Sequence, residues 1–83
     1  SRSAWTAAFS SAFEDFSERV ERGEEVLIDD YAADDPGEFF AVMSEAFFLH
    51  PRDVQETYPE VYGQLVAFYR QDPGRRLGRE GRL

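Results

Sequence analysis

A sharply marked helix start constrains the fold of this chain more than any other feature of its sequence. Asp35 is a favourable N-cap residue, and Pro36 follows it at the first helical position, where a missing N–H costs nothing. The next residues form a wide apolar face at helical spacing, made of Phe39, Phe40, Met43, Ala46 and Phe47. We expect this helix to stop near Leu49, because Pro51 disfavours helical backbone angles at His50.

Two further long helices are predicted on either side. Apolar residues at helical spacing before this helix are Trp5, Phe9, Ala12, Phe13, Phe16 and Val20. They predict an amphipathic helix of about 18–20 residues that ends near Gly23. A third long helix is predicted from about Pro59 to Asp72-Pro73-Gly74, and Pro51–Glu56 predicts one short helical turn before it.

The fold class predicted from these patterns is all-α, with three main helices. Residues 24–33 form a connector, and no long stretch alternates as a β-strand does. We expect residues 1–73 to form the helical segment and residues 74–83, which are rich in Arg and Gly, to form a disordered tail.

Composition excludes several classes of function. The 83 residues include no cysteine, which rules out disulfides and thiolate metal sites. The net charge of −8 disfavours binding to a phosphate backbone, so we expect no nucleic-acid partner. No run of 18 apolar residues predicts a membrane span, and no N-terminal leader pattern is present, so we expect no membrane association.

Glu38 has two interpretations. With Asp35 it forms the spacing of a capping box, in which the acid reaches back to the N-cap amide. The Pro36-Gly37 turn before it leaves its face open, however, and Glu45 lies about two helical turns further on the same face. Two acids beside Ala41 and Val42 would be costly to bury without cations or a metal.

Three other features have weaker signals. Tyr31 fits an amphipathic lid over the core, but its position also allows the phenol to fold back toward Glu38 and donate to an oxyanion. His50, the only histidine, fits a helix C-terminus better than a metal site. The acids at Asp29-Asp30 and Asp34-Asp35 lack the spacing of an EF-hand calcium loop.

Two runs of the sequence resemble the Mlc titration factor A family of zinc metallopeptidases. The first is Asp-Tyr-Ala-Ala-x-x-Pro-x-Glu-Phe-Phe-Ala-Val-x-Ser-Glu-x-Phe-Phe, from Asp30 to Phe48. The second extends from Pro59-Glu60-Val61-Tyr62 to Ala67-Phe68-Tyr69-Arg70-Gln71-Asp72-Pro73. The likeness covers about Trp5 to Pro73, and a more distant one connects the chain with the catalytic domain of anthrax lethal factor.

The resemblance implies a role for each candidate residue. Glu38 would be the third zinc ligand, Tyr31 the phenol that assists the transition state, and Glu45 a supporting acid. The other two ligands and the general base would come from an H-E-x-x-H helix, which this chain lacks. The chain would then be the C-terminal helical part of a gluzincin-like domain, with its partner segment N-terminal to it.

The family also implies a biological setting. It implies a cytoplasmic bacterial protein with aminopeptidase-type activity on peptides, which binds the glucose repressor Mlc. Because zinc in a catalytic site takes about three protein ligands, we expect the isolated chain to bind no catalytic zinc and to cleave no peptide.

A non-catalytic, acidic helical interaction module is the alternative interpretation. It is favoured by the acidic stretch from Glu14 to Asp35 and by the small aromatic core. Loss of an upstream domain should also expose apolar surface around Phe39, Phe40, Phe47 and Phe48, and we expect self-association through it.

Overall fold

The computed structural model describes residues 2–75, and all regular structure in that range is helical. The elements are helix α1 (Arg2–Glu21), a 3-10 helix (Asp30–Asp34), α2 (Pro36–Leu49), α3 (Pro51–Thr57) and α4 (Pro59–Tyr69). The predicted all-α class is therefore confirmed. The segment after His50 is longer than the single turn expected, because α3 continues for seven residues to Thr57.

Helix α1 ends as the sequence predicts, at a glycine in the left-handed region. Gly23 has a φ of 74°, which only glycine adopts without strain. Its N–H donates to the Val20 carbonyl at 3.0 Å, and the Glu24 N–H donates to the Arg19 carbonyl at 3.0 Å. These two bonds form a Schellman motif that satisfies the last carbonyls of the helix.

Proline fixes the start of each of the other α-helices. Pro36, Pro51 and Pro59 all occupy the beginning of a helix, where φ is already suitable and no N–H is needed. The residues before the last two, His50 and Tyr58, have non-helical backbone angles and separate α2, α3 and α4.

The core is aromatic and centred on α2. Phe39 is 1% exposed and its ring contacts the rings of Phe9, Phe13 and Phe16 on α1. Phe47 is fully buried and its ring lies 5.2 Å from the ring of Tyr62 on α4. Phe39 and Phe47 thus face α1 and α4, so their expected place on an exposed apolar surface was wrong.

The exposed apolar surface lies elsewhere. Among residues 3–75, the large hydrophobic side chains that remain exposed are Tyr31, Phe48, Leu49 and Phe68. Phe40 is only half-buried and contacts Trp5 and Phe68. No helix in the described part of the chain is long and apolar enough to cross a membrane.

The chain after α4 remains in contact with the helices as far as Arg75. Pro73 and Gly74 are buried, and the Gly74 N–H donates to the Tyr62 hydroxyl at 2.9 Å. The rest of the predicted tail, residues 76–83, lies outside the described residues, and its disorder stays a prediction.

Candidate metal-ligand face of helix α2

The exposed face of helix α2 has fewer charged residues than a solvent-exposed helix face usually has. Its 14 residues include only two charged ones, Glu38 and Glu45, and both are exposed. Ala41 and Leu49 are also exposed on this helix, and Val42 is half-buried. Helix α2 therefore has apolar residues on its exposed side as well as on its buried side, and the two carboxylates lie on the exposed side.

The local structure at Glu38 contains only half of a capping box. The Glu38 N–H donates to Asp35 Oδ2 at 3.0 Å, so Asp35 is the N-cap. The return bond, from the Asp35 N–H to the Glu38 carboxylate, is not formed. Within residues 2–75 the Glu38 carboxylate takes part in no hydrogen bond and no ion pair. It lies on the first turn of α2 and is open to solvent.

Tyr31 lies on the 3-10 helix that packs against α2. Its neighbour Ala32 is fully buried, and the Ala32 N–H donates to the Asp29 carbonyl at 3.0 Å, which fixes the turn. The Tyr31 side chain is 48% exposed, and its hydroxyl has no hydrogen-bond partner among the residues described. Tyr31 and Glu38 are thus on contacting elements, but no bond joins them.

Glu45 lies beside a different depression in the surface. A groove of about 280 Å³ separates α2 from the connector after α1, and Glu45 lines it together with Val42 and Leu49. Seven residues of helix separate Glu45 from Glu38, which is a rise of about 10 Å. The two residues therefore lie about two helical turns apart on the same side of α2.

Of the residues on this face, Glu38 can supply one ligand to a metal ion, and the described residues do not form a complete metal site. Between Arg2 and Arg75 no group of three or more His, Cys, Asp or Glu residues could hold a metal ion. An unpaired carboxylate oxygen is a suitable ligand for zinc, but a catalytic zinc takes about three protein ligands. The residues present therefore fit a metal only as a partial site.

Two polar clusters that the sequence analysis missed lie away from this face. The Tyr58 hydroxyl donates to Asp15 Oδ2 at 2.9 Å, and Arg19 Nε donates to the same oxygen at 2.8 Å. The Tyr58 hydrogen bond, followed by Arg19, lowers the pKa of Asp15. Burial, followed by the bond to Asp15, raises the pKa of Tyr58.

The second cluster joins α4 to the end of the described chain. The Tyr62 hydroxyl donates to Asp72, whose carboxylate also accepts the Arg75 N–H at 3.2 Å. Burial raises the pKa of Tyr62, and the bond to Asp72 adds to the shift. No short-range pattern in the sequence reveals either cluster, since their partners are 43 and 10 residues apart.

Comparison of the sequence with known proteins identifies the family of this chain. The model of the family described as glucose-regulated metallo-peptidase M90 matches residues 1–70. The chain belongs to this family, which confirms the resemblance found in the sequence. No solved structure matches the chain.

Curated relatives carry a more particular name. The chain is 44% identical over 82 residues to Mlc titration factor A of Edwardsiella ictaluri, which covers 96% of this chain and 31% of the relative. It is 41% identical to the proteins of the same name from Serratia proteamaculans and Pectobacterium atrosepticum. Those two alignments cover 92% and 88% of this chain, and 30% and 28% of the relatives. The chain thus spans about a third of the length of the curated relatives it matches.

Proposed function

We propose that this chain is the C-terminal part of a zinc-dependent metallopeptidase of aminopeptidase type. In this proposal Glu38 supplies the third zinc ligand, and an H-E-x-x-H segment of the longer protein supplies two histidines and a general-base glutamate. The observation that carries the proposal is the Glu38 carboxylate, which is exposed and lacks the return bond of a capping box. The M90 family match supports a peptidase over other metal enzymes.

The outer face of α2 supports an incomplete site. Ala41, Val42 and Leu49 share the outer side of this helix with the two acids, and such a surface is better suited to contact with protein than to water. We infer that the H-E-x-x-H segment packs against this face. The Glu38 carboxylate would then lie between two protein surfaces with its charge balanced by the metal ion.

Each of the three candidate residues has a separate task. A zinc ion bound at this site would lower the pKa of its water ligand toward about 7 and would polarise the peptide carbonyl. Glu38 would hold the metal, and the Tyr31 phenol, exposed and without a partner among residues 2–75, would donate a hydrogen bond to the oxyanion of the substrate. Glu45, about 10 Å further along α2, acts as a supporting acid outside the ligand set.

Substitutions in the longer protein test these roles. Glu38→Ala should abolish both zinc retention and peptide hydrolysis, because the two remaining protein ligands hold the metal weakly. The matched control is Glu45→Ala, which removes the other carboxylate of the same face and should leave zinc bound. Metal analysis after dialysis and turnover of an aminoacyl chromogenic substrate give the two readouts. Full zinc content in Glu38→Ala would remove Glu38 from the site.

Tyr31→Phe separates metal binding from chemistry. This variant should keep its zinc and lose kcat by about 10²- to 10³-fold, the usual cost of one oxyanion donor. Unchanged kcat would exclude Tyr31 from the mechanism. The isolated 83-residue chain should show neither zinc binding nor hydrolysis, and chelator-sensitive cleavage by it would contradict the division of ligands proposed here.

A regulatory role belongs to the same proposal. The curated relatives are named for titration of Mlc, and we propose that the longer protein likewise binds a glucose repressor in the cytoplasm of a bacterium. The alternative function is a non-catalytic acidic interaction module, which the unpaired acids along α1 favour. An H-E-x-x-H motif within about 70 residues upstream in the reading frame decides for the peptidase, and its absence decides for the module.

A further inference from the structure

A groove lies between α1 on one side and the end of the 3-10 helix with the first turn of α2 on the other. Its volume is about 730 Å³, within the range of about 300–1,000 Å³ that is usual for binding clefts. The floor is apolar, formed by Phe9, Phe13, Val20, Ala33, Pro36 and Phe39, and half of these residues are aromatic. None of this surface includes Glu38, Tyr31 or Glu45.

The rim of the groove is acidic. Glu14, Glu18 and Glu21 line it from α1, and Asp34 lines it from the 3-10 helix, whereas no Arg or His is among the lining residues. The ion pairs of the described chain go to Asp15 and Glu24 and leave these four acids without a cation in contact. Like charges three or four residues apart destabilise a helix by a few tenths of a kcal/mol, and no ion pair among residues 2–75 offsets this at the rim.

The dimensions of the groove suit a helix. Its α1 wall runs from Phe9 to Glu21, about 18 Å or a little over three helical turns. An amphipathic helix in a groove places anchors at positions i, i+3 or i+4, and i+7, which need about this length. A second copy of this chain is a poor occupant, because it has the same net charge of −8.

We propose that this groove docks a basic amphipathic helix of a partner protein. Apolar side chains of that helix lie on the apolar floor, and its Lys or Arg side chains lie against Glu14, Glu18, Glu21 and Asp34. The acidic rim also repels nucleic acid and anionic lipid, so a basic protein segment is the partner that the charges select. The inference does not depend on the role of Glu38.

A synthetic peptide tests the proposal on the full 83-residue chain. The probe is a labelled Leu/Lys helix of about 14 residues with Leu at i, i+4 and i+7 spacing, and fluorescence anisotropy measures its Kd. The double variant Glu14→Lys with Glu18→Lys should weaken binding at least about tenfold. The control, Glu56→Lys with Glu60→Lys, makes the same change in net charge outside the groove and should weaken binding less than about threefold.

A second probe tests the floor without altering the protein. Replacement of each Leu in the peptide by Ser keeps its charge and should also weaken binding at least about tenfold, since the apolar contact is lost. Equal weakening by the two double variants would show attraction by net charge alone and would overturn the proposal. Equal affinity of the Leu and Ser peptides would overturn it as well, as would failure of the longer protein to bind the Leu peptide.

Discussion

At the scale of single residues, the absence of a side chain at Gly74 should have a measurable effect on stability. A Cβ at this position would lie 2.6 Å from the Tyr62 hydroxyl oxygen and 3.4 Å from Tyr62 Cζ. The same hydroxyl accepts the Gly74 N–H at 2.9 Å and donates to Asp72. Gly63 on α4 offers a contrast, because a Cβ there would meet nothing within 4 Å.

Gly74→Ala should therefore lower the free energy of unfolding, by roughly 1–3 kcal/mol, since the added methyl group displaces the Tyr62 hydroxyl from its partners. The matched change Gly63→Ala should raise it by up to about 1 kcal/mol, because alanine is the better helix former. Urea unfolding followed by circular dichroism measures both. Stabilisation by the two substitutions alike would contradict the packing described at Gly74.

Residue-scale prediction from the sequence succeeded where a side chain interacts with its near neighbours. Asp35 as the N-cap of α2 and Gly23 as the end of α1 follow from local chemistry, and both are confirmed. Whether the Glu38 carboxylate would turn back to the Asp35 amide was not predictable, because both conformations suit the same spacing. The assignment of Glu38, Tyr31 and Glu45 to a metal site stays a proposal.

At the scale of elements, one polar contact ties α1 to the start of α4. The Tyr58 hydroxyl donates to Asp15, and Arg19 shares the same carboxylate oxygen. Tyr58 is 8% exposed, and Asp15 is the hydrogen-bond partner of its hydroxyl among residues 2–75. The contact joins residues 43 positions apart, which explains why the sequence did not reveal it.

Tyr58→Phe should lower the free energy of unfolding by about 1 kcal/mol near neutral pH. Tyr69→Phe is the control, because the Tyr69 hydroxyl has no hydrogen-bond partner among residues 2–75, and it should change stability little. Thermal or urea unfolding of the two variants gives the comparison. An equal loss in both would show that the Asp15 bond contributes nothing.

The same contact predicts a pH dependence with a definite sign. The pKa of Asp15 is lowered in the folded chain, so its contribution is present above about pH 4 and is lost as the pH falls through the folded pKa. The pKa of Tyr58 is raised, so its contribution is complete below about pH 10 and is lost as the pH rises toward the folded pKa. The difference in stability between the native chain and Tyr58→Phe should therefore shrink at both extremes. A difference independent of pH would contradict this account.

Helix positions and the apolar face of α2 were predictable from the sequence, but whether other helices of this chain cover that face was not. Proline and N-cap signals located α2 and the start of α4 because those signals act within one turn. Phe39 and Phe47 were expected on the surface, yet α1 and α4 cover them. Burial depends on which elements meet, and periodicity in one helix does not determine that.

At the scale of the whole molecule, exposed apolar surface remains beside the core. Phe48, Leu49 and Phe68 are 39%, 65% and 58% exposed, and the ring of Tyr69 connects Phe48 with Phe68. A surface of this kind favours association. Self-association of the chain, expected from loss of an upstream domain, stays a prediction, and the structure moves it to the surface of Phe48, Leu49 and Phe68.

Leu49→Glu tests that shift, because it places a charge at the most exposed of these apolar residues. The sedimentation coefficient of the variant should depend less on protein concentration than that of the native chain. Val66→Glu would be an unsuitable control, because Val66 on α4 is half-buried against the core and a charge there would perturb it. Gln64→Glu, which adds the same charge on α4, is the matched control. Equal behaviour of both variants and the native chain in sedimentation velocity would exclude association through the surface of Phe48, Leu49 and Phe68.

The central claim is that the Glu38 carboxylate completes a metal site whose other ligands lie outside this chain. A zinc-edge anomalous difference map from crystals of the longer protein tests it most directly. The account predicts a peak about 2.0–2.2 Å from a Glu38 carboxylate oxygen, with two histidines opposite and Glu45 outside the ligand set. A zinc peak whose ligands exclude Glu38 would contradict it.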